Sequence, residues 1–203
     1  AVAERETLSG RDFLYAVMLG YEVCNRFGMM ATERVRELGM YGPAFVGTLG
    51  AVTAAGVAMK RSRKQIVNSF SIASSLAPVC PFISFIDGAG VKEVYNGWSL
   101  FMAMTALLMT DGGVTGTERI LRGDKSMESF YRPDRRLPVT GADYASKTLF
   151  KKYACCRSVH YALIALEELM EEKPIKPDEV RSIRVTTYPY AYKLSSQVTH
   201  LND

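Results

Sequence analysis

Three long runs without a charged residue fill the middle of the chain and limit the folds open to it. They cover residues 39–59, 65–86 and 94–110, and each approaches or reaches the length that crosses a bilayer. The first run contains five glycines, and the second contains five serines, an asparagine and two prolines. Because such polar and helix-breaking groups are unfavourable in lipid, we expect buried core helices and no membrane association. A small helical membrane protein is the alternative.

Composition narrows the class of protein further. The chain has 203 residues, of which 48% are hydrophobic and 23% charged, as expected for a globular protein with a sizeable core. The net charge of +4 is spread over the chain, with short basic clusters at 60–64 and 132–136. A nucleic-acid-binding surface needs a more concentrated basic stripe, so we expect none, whereas small anionic ligands suit this charge.

The four cysteines show no disulfide framework, and two of them are adjacent. We therefore expect a reduced, cytoplasmic compartment. The first twelve residues, AVAERETLSGRD, are charged and carry no apolar core of a signal peptide.

Local signals predict helices over residues 1–131. Ser9 is placed to cap a helix over 10–27, and Gly28 offers a C-terminal stop. Pro43 suits the first turn of a second, glycine- and alanine-rich helix that lets its neighbours approach closely. Further helices are expected at 62–76, 91–110 and, as a short element, within 115–124.

The pattern changes after residue 131. A charged, proline-containing linker is expected at 132–143, followed by a small α+β domain over 144–203. In that domain we expect strands at 144–153 and 180–192 on either side of a helix at 158–173. The predicted fold class is therefore mainly α, with an all-helical domain over 1–131 followed by part of a small α+β domain.

The segment FKKYACCRSVHYA, residues 150–162, concentrates reactive side chains. Three residues of types that bind metals stand close together here, namely Cys155, Cys156 and His160. Structural zinc needs four ligands at wider spacing, so we expect no metal. Lys151 and Arg157 flank the start of the predicted helix, where a carboxylate or phosphate would be stabilised. A solvated basic face is an open alternative.

Two glycine-rich segments offer further candidates. In GAGVKEVYNGW, Lys92 stands beside a long apolar helix, and a buried lysine can act as a base or bind an anion. A lysine that reaches out to solvent at the helix end is the alternative. The segment GMYGPAFVGTLG enters a helix but lacks the lysine of a phosphate-binding P-loop, so helix packing is expected there.

Taken in order, the segments GMYGPAFVGTLGA, GVKEVYNGWS, GGVTGTERILRG and FKKYACCRSVHYALIALEEL resemble the MmgE/PrpD family over nearly the whole chain. This family includes 2-methylcitrate dehydratases, cis-aconitate decarboxylases and iminodisuccinate epimerases. The resemblance implies a large helical domain with a smaller α+β lid, and a lyase or isomerase that moves protons next to a carboxylate of a small di- or tricarboxylic acid. It implies no organic cofactor, and it implies a homodimer.

The resemblance also implies roles for particular residues. Lys92 and Lys151 match active-site lysines and are expected to hold carboxylates, while Tyr192, in the predicted lid strand, is matched to an active-site tyrosine. The candidate catalytic residues are Lys92, Lys151, Tyr41 and Tyr192, and the candidate substrate-binding residues are Lys92, Lys151, Arg157 and His160.

Two departures from the family keep alternatives open. Tyr41 stands where many members carry a histidine, and a tyrosine with a pKa near 10 is poorly matched to proton transfer at neutral pH. Dehydration, decarboxylation and epimerisation therefore all stay open, as does a non-catalytic descendant that serves binding or dimerisation. Members are also more than twice as long, so the resemblance implies a central fragment of such an enzyme.

Overall fold

The structure is a computed structural model that describes residues 1–131 and 143–196. The described helices are α1 (Val2–Arg5), α2 (Gly10–Glu37), α3 (Gly42–Ala58), α4 (Arg63–Leu76), α5 (Ile83–Ile86), α6 (Val91–Asp111), α7 (Met127–Tyr131), α8 (His160–Glu172) and α9 (Pro189–Ser195). Single 3₁₀ turns lie at Glu118–Ile120, Arg157–Val159 and Pro177–Glu179. The mainly-α fold class is thereby confirmed. The linker predicted at 132–143 lies outside the described residues except for Asp143.

The described residues divide into two compact units. The first unit contains residues 1–85, 89–131 and 143–148, and the second contains residues 86–88 and 149–196.

Helix α3 is the centre of the first unit and packs against α2, α4 and α6. Its small residues allow this close packing, as predicted: a Cβ atom added at Gly50 would lie 2.7 Å from the Gly20 carbonyl oxygen of α2. Its polar Thr48 is fully buried and donates a hydrogen bond to the Ala44 carbonyl oxygen, so no polar group of that side chain is left without a partner.

Two apolar clusters form the main core of the first unit. One joins α2, α3 and α7 through Phe27, Ala31, Val35, Phe45, Leu49, Met127 and Tyr131. The other joins α3, α4 and α6 through Val52, Ile72, Ala73, Ala103, Ala106 and Leu107. The three uncharged runs therefore supply much of this core. No helix in the described ranges combines the length and the apolarity that a membrane span requires.

The starts of α2 and α4 agree with the sequence prediction, but the end of α2 does not. Ser9 caps α2 by accepting a hydrogen bond from the Asp12 amide, and Ser62 caps α4 in a reciprocal arrangement with Gln65. The stop predicted at Gly28 is wrong, since α2 continues to Glu37. The helix ends where Gly39 adopts a φ of 65°, a left-handed conformation that suits glycine.

The two predicted strands are also wrong. Residues 144–153 and 180–188 form turns and extended chain, and none of the residues described in 143–196 is paired in a β-ladder. Alternating apolar residues favour a strand only where a second strand supplies the hydrogen bonds, and no such partner lies within the described part. Pro189 then starts helix α9, so Tyr192 lies on a helix.

Candidate functional site

Tyr41 lies in an aromatic cluster at the start of α3. Its ring centroid is 6.3 Å from that of Phe82, 6.0 Å from that of Phe85 and 5.6 Å from that of Tyr95. Two backbone hydrogen bonds hold residues 39–41 against residues 80–82. The Tyr41 amide donates to the Cys80 carbonyl oxygen at 2.6 Å, and the Phe82 amide donates to the Gly39 carbonyl oxygen at 2.8 Å. The position of Tyr41 is therefore set by both main-chain pairing and ring packing.

Lys92 adjoins the same cluster. Its ammonium lies 5.6 Å from the centroid of the Phe85 ring, a distance that allows a cation–π attraction. It also forms a 2.7 Å ion pair with Glu93, and its side chain is 32% exposed. Because Phe85 contacts both residues, the structure brings Tyr41 and Lys92, two of the predicted site residues, into one group, which we call the Tyr41–Lys92 cluster (Tyr41, Phe82, Phe85, Lys92 and Tyr95).

Sequence reasoning did not find the aromatic part of this cluster. Phe82 and Phe85 stand three residues apart in the segment PFISFI, a spacing that places side chains on neighbouring positions of a helical turn. The prolines and glycines on either side of that segment instead favour a loop. A positive charge beside aromatic rings and partly withdrawn from solvent attracts an anion more strongly than one in bulk water.

In the second unit, the two adjacent lysines differ in their partners. Lys152 forms an ion pair with Glu167 of α8. The hydrogen bond within this pair raises the pKa of Lys152 and lowers the pKa of Glu167. Lys151 instead donates a 3.0 Å hydrogen bond to the Cys155 carbonyl oxygen, and it has no acidic partner among the residues that the structure describes. The charge of Lys151 is therefore the less compensated of the two.

His160 is the first residue of α8 and is only 3% exposed. Its ring packs edge-on against Tyr153, with centroids 5.1 Å apart and an interplanar angle of 81°. Its Nε2 atom is buried without a hydrogen-bond partner within residues 1–131 and 143–196. An unpartnered buried nitrogen is costly, which makes this atom a place where a polar ligand would be favourable.

The other two candidates of the second unit are near its surface. The Arg157 guanidinium lies 5.0 Å from the centroid of the Tyr161 ring, and Arg157 is exposed. Tyr192, on α9, is 67% exposed. In the described part of the chain, no three His, Cys, Asp or Glu side chains are grouped so that they could hold a metal ion.

Comparison with known proteins identifies the family. The model of the MmgE/PrpD N-terminal domain matches residues 1–139, which is more than half of the chain. This protein belongs to the MmgE/PrpD family. The matched range contains Tyr41 and Lys92, whereas Lys151, Arg157, His160 and Tyr192 follow it.

The chain is also similar to a cis-aconitate decarboxylase from Aspergillus terreus (strain NIH 2624 / FGSC A1156). The two are 24% identical over 182 residues, which cover 83% of this chain and 37% of the decarboxylase. The chain therefore spans a little over a third of the length of this MmgE/PrpD-family relative.

Proposed function

We propose that this MmgE/PrpD-family protein serves as a lyase on small di- or tricarboxylic acids, with Lys92 and Lys151 as anchors for substrate carboxylates. Family membership supports the class of reaction, and the similar decarboxylase supports a polycarboxylate such as cis-aconitate. The chemistry would be proton transfer at a carbon next to a carboxylate. A homodimer and a cytoplasmic location belong to the same proposal.

The proposal rests on the different partners of Lys151 and Lys152. Because Lys152 is already neutralised by Glu167, a substrate carboxylate would have to displace that acid to reach it. Lys151 gives up only a hydrogen bond to a neutral carbonyl group. A charge-assisted hydrogen bond to a carboxylate is stronger than such a neutral one. Lys151 is therefore the better carboxylate anchor.

Lys92 would contribute differently. Its ion pair with Glu93 reduces its net attraction for a carboxylate, while the Phe85 ring limits the water around it. We therefore assign Lys92 the role of a second, weaker anchor beside Tyr41. Arg157 and His160 remain candidate substrate-binding groups, since the exposed guanidinium and the unpartnered Nε2 atom can each bind an acidic or hydroxyl group.

Calorimetric titration with citrate and with cis-aconitate tests the anchor role. We expect Lys151→Ala to weaken binding by about 10- to 150-fold, the equivalent of losing one charge-assisted hydrogen bond of about 1.5–3 kcal/mol. Lys152→Ala is the matched control, because it removes the neighbouring charge that Glu167 already compensates, and it should change binding by less than about threefold. Equal losses in the two variants would contradict the assignment.

A specific feature favours a second candidate function. Tyr41 replaces a histidine that the family resemblance leads one to expect, and it is engaged with three aromatic rings. A non-catalytic descendant would bind the acid without converting it. Mass spectrometry can show whether bound cis-aconitate loses carbon dioxide or adds water. Binding with neither change would favour this candidate over the lyase.

A further inference from the structure

A pocket of about 340 Å³ lies where the first two turns of α4 face the loop that follows α6. Its wall includes Thr110, whereas Lys92 lies at the opposite end of α6. The helical rise of about 1.5 Å per residue puts these two residues about 27 Å apart along the axis. The pocket is therefore separate from the Tyr41–Lys92 cluster, and its ligand goes beyond the proposed function.

The floor of the pocket is built from polar groups that already satisfy one another. Asn68 donates hydrogen bonds to Thr110 Oγ1 and to the Val114 carbonyl oxygen, and it accepts one from the Gly116 amide. Ser71 donates to the Thr117 carbonyl oxygen and accepts from the Thr117 amide. These hydrogen bonds hold the loop against α4, so the pocket keeps its shape without a ligand.

Gly116 shows how closely the loop approaches the helix. A Cβ atom at this position would lie 2.5 Å from Ser71 Cβ, so a side chain here would force the loop away from α4. The glycine is thus needed for the shape of the pocket.

Two charged residues of opposite sign line the same pocket. Lys64 comes from the first turn of α4, and Glu118 comes from the 3₁₀ turn that follows the loop. Neither takes part in an ion pair within the described ranges 1–131 and 143–196, and both residues are exposed to solvent. Val67 and Val114 supply apolar wall between the polar groups.

We propose that this pocket binds a small zwitterion of the free aliphatic amino acid class. The carboxylate would bind Lys64, where the positive end of the α4 dipole adds to the attraction, and the ammonium would bind Glu118. The alkyl side chain would lie against Val67 and Val114. A simple anion would be repelled by Glu118 and a simple cation by Lys64, so the pair of charges selects a ligand that carries both.

Three related compounds separate the contributions of the two charges. L-Valine carries both charged groups, 3-methylbutanoate lacks the ammonium, and 2-methylpropylamine lacks the carboxylate. In titrations followed by amide NMR, we expect valine to shift the resonances of Val67, Thr115 and Gly116 at millimolar concentrations. Each of the other compounds should bind at least about threefold more weakly, because each leaves one exposed charge of the pocket without its partner.

Two variants and a control complete the test. Lys64→Gln and Glu118→Gln should each weaken valine binding by about three- to fivefold, since each removes one exposed ion pair with the ligand. Arg63→Gln removes a charge of the same sign from the adjacent position of α4 that does not line the pocket, and it should leave binding unchanged. The proposal is overturned if valine causes no shifts, if 3-methylbutanoate binds as tightly as valine, or if Arg63→Gln has the same effect as Lys64→Gln.

Discussion

Glu22 of α2 shows how one side chain fixes a segment more than a hundred residues away. Its carboxylate accepts hydrogen bonds from the Tyr144 and Ala145 amides at 2.7 and 2.9 Å, and it pairs with Arg26. Asn25, on the same helix, donates to the Tyr144 carbonyl oxygen at 2.9 Å. The segment is thereby held to α2 within the first unit.

The pKa of Glu22 follows from these contacts. Burial alone would raise it, but the hydrogen bonds from Ala145, Arg26 and Tyr144 outweigh burial and lower the pKa below its ordinary value. Since the folded-state pKa is below the unfolded one, the stabilisation is fully present above the unfolded value of about 4.3. It is lost as the pH falls through the lower folded-state value.

We expect Glu22→Gln to reduce the free energy of unfolding by about 1–2 kcal/mol at pH 7, because the charge-assisted hydrogen bonds become neutral ones. Urea unfolding at pH 7 and at a pH below the folded-state pKa measures this, and the difference from wild type should shrink in acid. Glu33→Gln changes an exposed glutamate of the same helix and is the control. A deficit that stays constant with pH would contradict the explanation.

At the scale of the helices, α2 and α3 approach closely through glycine. A Cβ atom at Gly50 would lie 2.7 Å from the Gly20 carbonyl oxygen and 2.9 Å from Cys24 Cβ. Since one of these neighbours is backbone, the helices would have to separate. At Gly47, on the same helix, the nearest atom would be Ser99 Cβ at 3.9 Å, an ordinary contact.

The two glycines should therefore respond in opposite directions to the same change. Gly50→Ala is expected to lower the free energy of unfolding by about 2 kcal/mol through overpacking. Gly47→Ala should raise it by up to about 1 kcal/mol, because alanine favours a helix more than glycine does. Denaturant unfolding of both variants gives the comparison. Destabilisation by both changes would show that the gain from alanine is outweighed even where space is available.

At the scale of the whole molecule, the two units differ in how much they bury. Within the described residues 149–196, only His160 and Ala191 are buried, whereas the first unit contains continuous apolar clusters around α3. Local opening is easier where few apolar groups are withdrawn from water. Stability should therefore be distributed unevenly along the chain.

Hydrogen exchange of the backbone amides measures this distribution. We expect the amides in the middle of α3 and α6 to exchange at least about tenfold more slowly than those in the middle of α8. The backbone hydrogen bonds of α3 and α6 break only when the core opens. The middle of α4, which belongs to the same core as α3, is the internal control. Equal protection of α3 and α8 would contradict the prediction.

Much of the helical architecture could be predicted from the sequence, because its signals are local. The cap at Ser9, the capping box at Ser62 and the proline in the first turn of α3 act on backbone groups a few residues away. The high content of small residues in α3 likewise predicts close helix packing. The sequence itself points to Lys92, Lys151 and Arg157 through their charge and their position at helix starts. The family resemblance adds roles for Lys92, Lys151 and Tyr192, and all of these roles stay predictions.

Tertiary structure decided what depends on distant partners. Helix α2 runs through Gly28 because Ala31 and Val35 are buried against other elements beyond it, which offsets the cost of an interior glycine. Residues 180–188 form no strand because none of the described residues pairs with them. Two further features join segments that are far apart in the chain: the grouping of Tyr41 with Lys92, and the hydrogen bond from the Tyr144 amide to Glu22. Side-chain periodicity carries no information about such contacts, since it reports which face of an element is apolar and not which element will cover it.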